Sequence, residues 1–420
     1  MMARLSGTLC LAIVTGCGGG SQLLGGRMPT ASGTGGAQAI DAPTVADAVD
    51  DLTGRPGTDG ARVETIPPTP TTCRDALFVP TAPGSGTVRC IATIADRAFR
   101  YALCSCSDLG WTAPLSSDSF DPKTGARGNQ GWVGVNGYVG AMQPFHIAGS
   151  LSVAGQPPGM PGLSTIGQPS DVAGDLRVGG GVAGQNTLTV GGDLFSTGDV
   201  VESAMTVGGA IHLPAGAQVV GANATKGTVR EAVTVDAPCD CATPVINIAS
   251  VVAALKQSNV NAVVGLPPDA LATLVGQQVV DLPCGHYAFS RLGGGGATLR
   301  LGGPAVVAVG GDVSLTGTLA VELGPDASLD LFVAGNVDLG GITAFGDVSA
   351  PARVRLYVAG RLVSLPAGQG VGASIYAPAA TVTVASGAEL SGALTGKQIV
   401  LLGGVTVHYD ESNAAGRSCQ

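Results

Sequence analysis

A chain of 420 residues with 67 glycines and 26 prolines, 45% hydrophobic but only 12% charged, is turn-rich, yet too apolar to be simply disordered. Its formal net charge of −9, with no run of Lys or Arg, argues against nucleic acid as a partner, because phosphate neutralisation needs clustered cations. The apolar residues are mostly Val, Ala, Leu and Ile, which suits strands, and a repeating coil can absorb this length without several domains.

Residues 1–16 read as an export signal: Arg4, an apolar run from Leu9 to Val14 too short to span a bilayer, then Val14-Thr15-Gly16-Cys17. That tetrapeptide resembles the lipobox of bacterial lipoproteins, which implies acylation of Cys17 and attachment to a membrane through lipid. Gly18 stands where inner-membrane retention would favour Asp, so the expectation is an outer-membrane or cell-surface location. Residues 17–72 are Gly, Ser, Thr, Pro and Asp with few large apolar side chains, and should form a flexible tether.

With Cys10 in the signal and Cys17 lipidated, eight cysteines remain: Cys73, Cys90, Cys104, Cys106, Cys239, Cys241, Cys284 and Cys419. An even number in an exported chain favours disulfides, and eight cysteines allow 105 connectivities. Residues 73–140 contain four of them with Trp111 and Trp132, and read as a disulfide-stapled cap over the end of a repeating body.

From residue 147 one pattern returns. Copies of Val/Ile-x-Gly-x-Leu/Val begin at 147, 172, 190 and 207, and again at 309, 333 and 358, a recurrence of 17 to 25 residues. That suits one coil of three short strands, whereas a hairpin would repeat sooner. Alternation puts the Val, Gly and Leu positions on one face and Asp, Asn, Arg, Ser and His on the other. The repeat glycines are Gly149, Gly174, Gly192, Gly209, Gly311, Gly335 and Gly360, expected to face inward where the backbone must come close. The fold class is therefore all-β: a right-handed parallel β-helix, or solenoid, with a small disulfide-rich N-terminal cap and a short helical insertion. Residues 141–238 form its first part, 288–412 its second and 413–420 a tail.

The insertion, residues 239–287, has Thr243-Pro244 as a candidate helix start and Val245, Ile248, Val252 and Leu255 at helical spacing. A second helical stretch is expected over 268–275. Near the C-terminus, Tyr376-Ala-Pro-Ala-Ala, Ser391-Gly-Ala, Gly396-Lys397 and His408-Tyr409-Asp410 resemble a domain family of unassigned function. It occurs in bacterial surface lipoproteins, in pilus-assembly-associated proteins and beside choice-of-anchor adhesin domains. Leu282-Pro-Cys-Gly-His-Tyr287 matches a second signature, with His286 where Arg is expected. The resemblance covers roughly residues 170 to 410 and implies a surface role without a known reaction.

Candidate sites read weakly. Asp175, Asp193, Asp312 and Asn336 follow the repeat glycine and should stack as a ladder of turn caps; calcium is the alternative, but Arg361 and Ala210 interrupt the ladder. Zinc could use Cys239, Cys241, Cys284 and His286, but oxidation to disulfides is the stronger expectation, so no metal and no cofactor is assigned. The four histidines, His146, His212, His286 and His408, are scattered. No nucleophile elbow, phosphate cradle or compact Asp-Asp-Arg group stands out, so no catalytic residue is assigned. The reading is a lipid-anchored solenoid with a structural, adhesive or matrix-binding role, its ligand a polysaccharide or extracellular protein. The alternatives are a polysaccharide lyase or hydrolase on the same scaffold and a self-assembling envelope scaffold, as bactofilin-type β-helices are.

Overall fold

A computed structural model describes residues 73–420 except 157–158, 168, 342–343, 414–418 and 420. The signal segment, Cys17 and the tether lie outside the described residues.

The body is a parallel β-solenoid of about 14 turns. Each turn contributes strands to three columns, here faces A, B and C. On face A, Leu151, Leu176, Leu194 and Ile211 lie in register on successive rungs and are buried. On face C the same is true of Ile147, Val172, Val190 and Val207. Pooling these side chains into one cylinder provides the apolar burial that no single three-residue strand could.

The repeat pattern forms this coil in a way that differs from one continuous strand. Val172 ends the strand Ser170–Val172 and Leu176 begins the strand Leu176–Val178, so Gly174 and Asp175 sit at the corner between two faces. Val172 and Leu176 point inward as expected; the repeat glycines instead occupy corners, Gly174, Gly192, Gly311 and Gly335 half-buried and Gly149, Gly209 and Gly360 buried. What requires glycine is the coil below. A Cβ on Gly192 would lie 2.9 Å from the carbonyl of Gly174, and one on Gly335 would lie 2.6 Å from that of Gly311. Corners stack backbone on backbone, leaving no room for a side chain.

The order of the turns is not the order of the sequence. Strand Leu103–Ser105 pairs on one side with Val133–Val135 and on the other with Leu394–Gly396, near the end of the chain. Leu115–Phe120 is likewise sandwiched between Phe145–Ile147 and Val405–Asp410. From one end the stack therefore runs through residues 274–410, then 103–230. The cysteine-rich region is disulfide-rich as expected, but its strands form turns in the middle of the stack rather than covering an end. Its remaining part, with α1 (Ile91–Ala98), covers a side. There the face A strands Pro304–Val309, Ser328–Val333 and Val354–Val358 are buried on both surfaces, as parallel strands with helices over them must be.

Because the two halves are stacked in reverse, the chain must travel from the last rung of one to the first rung of the other. Residues 231–247 do this as an external strap. Pro238 lies against Gly134, and Val245 N–H donates to the Tyr376 hydroxyl at 3.0 Å. The strap leads into α2 (Ile248–Gln257), which packs on Gly285–Phe289, Pro304–Val309 and Ser328–Val333. Ile248, Val252 and Leu255 are buried, as their spacing predicts. The helix begins later than expected, since Pro244 and Val245 belong to the strap; Asn247 caps it, accepting from Ser250 N–H at 3.0 Å. The second expected helix does not form. Leu271 and Leu274 are instead drawn into the stack, Gly293 N–H donating to Leu271 O, and Leu274–Leu282 is already a solenoid strand.

Candidate functional site

All eight body cysteines are paired: Cys73 with Cys284, Cys90 with Cys419, Cys104 with Cys239 and Cys106 with Cys241. Each bond joins the region 73–106 to the region 239–419. The thiols considered for zinc are thus spent in three separate bonds, and no cluster of metal-ligating side chains occurs among the described residues.

The acidic ladder is a set of turn caps. Asp175 Oδ1 accepts from Asp193 N–H at 3.0 Å, and Asp193 Oδ1 accepts from Ala210 N–H at 2.8 Å. In the second series Asp312 Oδ1 accepts from Asn336 N–H at 2.7 Å, and Asn336 Oδ1 from Arg361 N–H at 2.9 Å. Ala210 and Arg361 do not interrupt the ladder; they are its last donors, and a backbone N–H is all that position needs. One oxygen of each of these side chains is thus engaged by a backbone N–H of the next rung.

The histidines stay apart, each with its own partner. His146 pairs with Asp171 on the next rung. His212 Nδ1 lies 2.6 Å from Glu231 Oε1, its ring stacked on Phe195, over whose other side Arg177 sits at 4.1 Å. His286 Nε2 is 3.0 Å from Phe78 O, and burial holds its pKa below the usual imidazole value. His408 Nδ1 lies 2.6 Å from Asp118 Oδ1.

The residues that resemble family signatures are attachment points. Tyr376 accepts from the strap, Tyr409 donates to Phe99 O at 2.9 Å, and Asp410 Oδ2 accepts from Ala352 N–H at 3.0 Å. Cys284 and His286 hold the segment around Cys73 and Phe78. These groups build the fold.

A charged constellation facing solvent in a concavity lies elsewhere. Asp281, Arg300 and Glu322 occupy successive rungs of face C in direct register. Arg300 Nε donates to Glu322 Oε2 at 2.8 Å, the two side chains being 53% and 58% exposed. They line a groove of about 510 Å³ with Leu282, Pro283, Gly302, Leu323 and Gly324. Two rungs separate Asp281 from Glu322, roughly 10 Å at the usual strand spacing, with a guanidinium between them. Such a row can bind a polyhydroxylated or anionic ligand through several charge-assisted hydrogen bonds. The sequence signal was present but faint: positions 281, 300 and 322 are one coil apart, and only the register makes them neighbours.

Residues 231–415 match the model of a domain of unknown function, DUF7305. That stretch comprises the strap, α2 and the C-terminal half of the stack; the N-terminal half lies outside it. No curated protein and no solved structure matches the chain.

Proposed function

We propose that this chain is a lipid-anchored bacterial surface protein whose solenoid has a structural, adhesive or matrix-binding role and is not an enzyme. The observation that carries this reading is the set of four disulfides, each closing more than a hundred residues of chain. Cross-links of this kind persist outside the cytoplasm, where a protein must hold its shape unaided. Cys17 in its lipobox-like setting and the low-complexity residues after it support an anchor and a spacer. The ladder aspartates and the histidines are engaged in caps, seams and clasps, while face C presents Ser116, His146, Asp171, Thr189, Thr206 and Asn223 on successive rungs, a polar row suited to many weak contacts. Replacing Cys17 by Ala tests the anchor: the variant should leave the membrane fraction, and unchanged membrane association would refute it.

The groove of Asp281, Arg300 and Glu322 favours a second reading, a polysaccharide-active enzyme. Two carboxylates and a cation are what glycan cleavage demands, though Glu322 is tied to Arg300. Release of reducing or unsaturated sugars that disappears in Glu322→Gln would establish it; no release from a broad glycan panel would remove it.

A further inference from the structure

We propose that the strap between Glu231 and Cys239 is a processing site for an endopeptidase, and that cutting there converts the protein into a two-chain molecule with its fold intact.

The strap is held firmly at both ends. Glu231 N–H donates to Leu213 O, and its carboxylate meets His212; Cys239 is bonded to Cys104, and its N–H donates to Asn136 Oδ1. Between these points the chain passes from the rung of Thr228–Arg230 to that of Val133–Val135, five rungs away through Ile211, Leu194, Leu176 and Leu151. Five rungs amount to roughly 24 Å, and the eight residue steps from Glu231 to Cys239 span about 26 Å of strand, so this segment is close to fully extended. It crosses the rungs rather than running along them, so it cannot join their ladder. None of the backbone groups of residues 232–238 makes a hydrogen bond among the described residues, and Ala232, Thr234, Asp236 and Ala237 are exposed.

An endopeptidase binds its substrate extended, through the free backbone groups of a few consecutive residues, and a folded protein usually has to unfold locally to supply them. Here they are supplied without unfolding. The other tight turn near the seam, residues 121–126, differs: Asp121 N–H donates to Ala126 O and Gly125 N–H to Asp121 O. Hydrolysis in the strap consumes one water, breaks one C–N bond and leaves a new carboxylate and a new amine. The N-terminal product keeps Cys73, Cys90, Cys104 and Cys106; the C-terminal product keeps Cys239, Cys241, Cys284 and Cys419. All four disulfides therefore bridge the cut, and the pairing of Leu115–Phe120 with Val405–Asp410 bridges it again without covalent bonds.

The test is limited digestion of the full chain by a broad-specificity endopeptidase, with fragments mapped by mass spectrometry on gels run with and without reductant. The expected first cut falls within 232–238, giving one band without reductant and two with it, at an unchanged melting temperature. A first cut elsewhere in residues 73–420, or fragments that part without reductant, would overturn the proposal. A Val233→Pro, Val235→Pro variant removes no backbone hydrogen bond. It should keep the wild-type melting temperature and cut severalfold more slowly in the strap, and an unchanged rate there would count equally against it.

Discussion

Asp118 Oδ1 and His408 Nδ1 lie 2.6 Å apart although 290 residues separate them, and their contact marks the junction where the first turn of the chain is laid on the last. Arg127 Nη1 donates to both oxygens of Asp118, at 2.8 and 2.7 Å. The same junction carries six register pairs, from Leu115 with Val405 to Phe120 with Asp410. Asp118→Ala should lower the urea midpoint by an amount equivalent to about 1 kcal/mol, the scale of a partly exposed charge-assisted contact. An unchanged midpoint would mean that backbone pairing alone holds the seam.

The corner glycines should be far less tolerant than glycines that merely turn. A Cβ on Gly209 would lie 2.8 Å from Gly192 O and would run into the Asp193 carboxylate that caps Ala210 N–H, so Gly209→Ala disturbs both the stacking and the cap. A loss of about 2–3 kcal/mol is expected in thermal or urea denaturation. Gly302→Ala, where a Cβ meets nothing within 4 Å, should cost little and serves as the control.

Glu202 should make the protein less stable as pH rises. It is 3% exposed, one oxygen accepts from the Thr165 hydroxyl at 2.7 Å, and the other has no partner. Burial raises its pKa above the ordinary 4.5, so the folded state prefers the protonated acid. Below pH 4.5 both states hold the proton and there is no penalty. As pH climbs from there through the raised folded pKa, the unfolded chain ionises first and stability falls, then levels off. Glu202→Gln removes this titration while keeping an acceptor for Thr165. Its melting temperature should exceed that of the wild type at about pH 8, the gap closing near pH 4; parallel curves at both pH values would sink the idea.

Beneath α1, Arg355 and Asp330 form a two-pronged ion pair at 2.6 and 2.7 Å, with side chains 7% and 3% exposed. Removing one partner leaves a buried charge alone, so Arg355→Ala should cost about 3–5 kcal/mol. Replacing both, Arg355→Met with Asp330→Leu, should recover most of that loss. A double variant no better than the single one would show that the pair also orders the chain above it.

Much of the coil is legible in the amino-acid sequence. Val172, Leu176, Val178 and their repeats announce inward positions because a side chain must leave water, and that demand is local. The Asp193 and Asn336 caps followed from position within the repeat, and paired cysteines from their even number in a chain expected to be exported. The helix of residues 248–257 was visible in its spacing, whereas its start was displaced because Val245 is held by Tyr376, a contact no local pattern encodes.

What the sequence determined by itself is the rung: which apolar side chains turn inward and how long a turn is. The tertiary structure alone decided the order of the rungs, and with it the four disulfide pairs, the external strap, the clasp of Asp118 on His408 and the row of Asp281, Arg300 and Glu322. The reason is physical. Any parallel rung offers the same backbone groups and an apolar inner face, so pairing chemistry does not say which rung is whose neighbour. The choice falls to contacts such as Cys104 with Cys239 and Tyr409 with Phe99, whose partners stand 135 and 310 residues apart and meet only when the whole stack has closed.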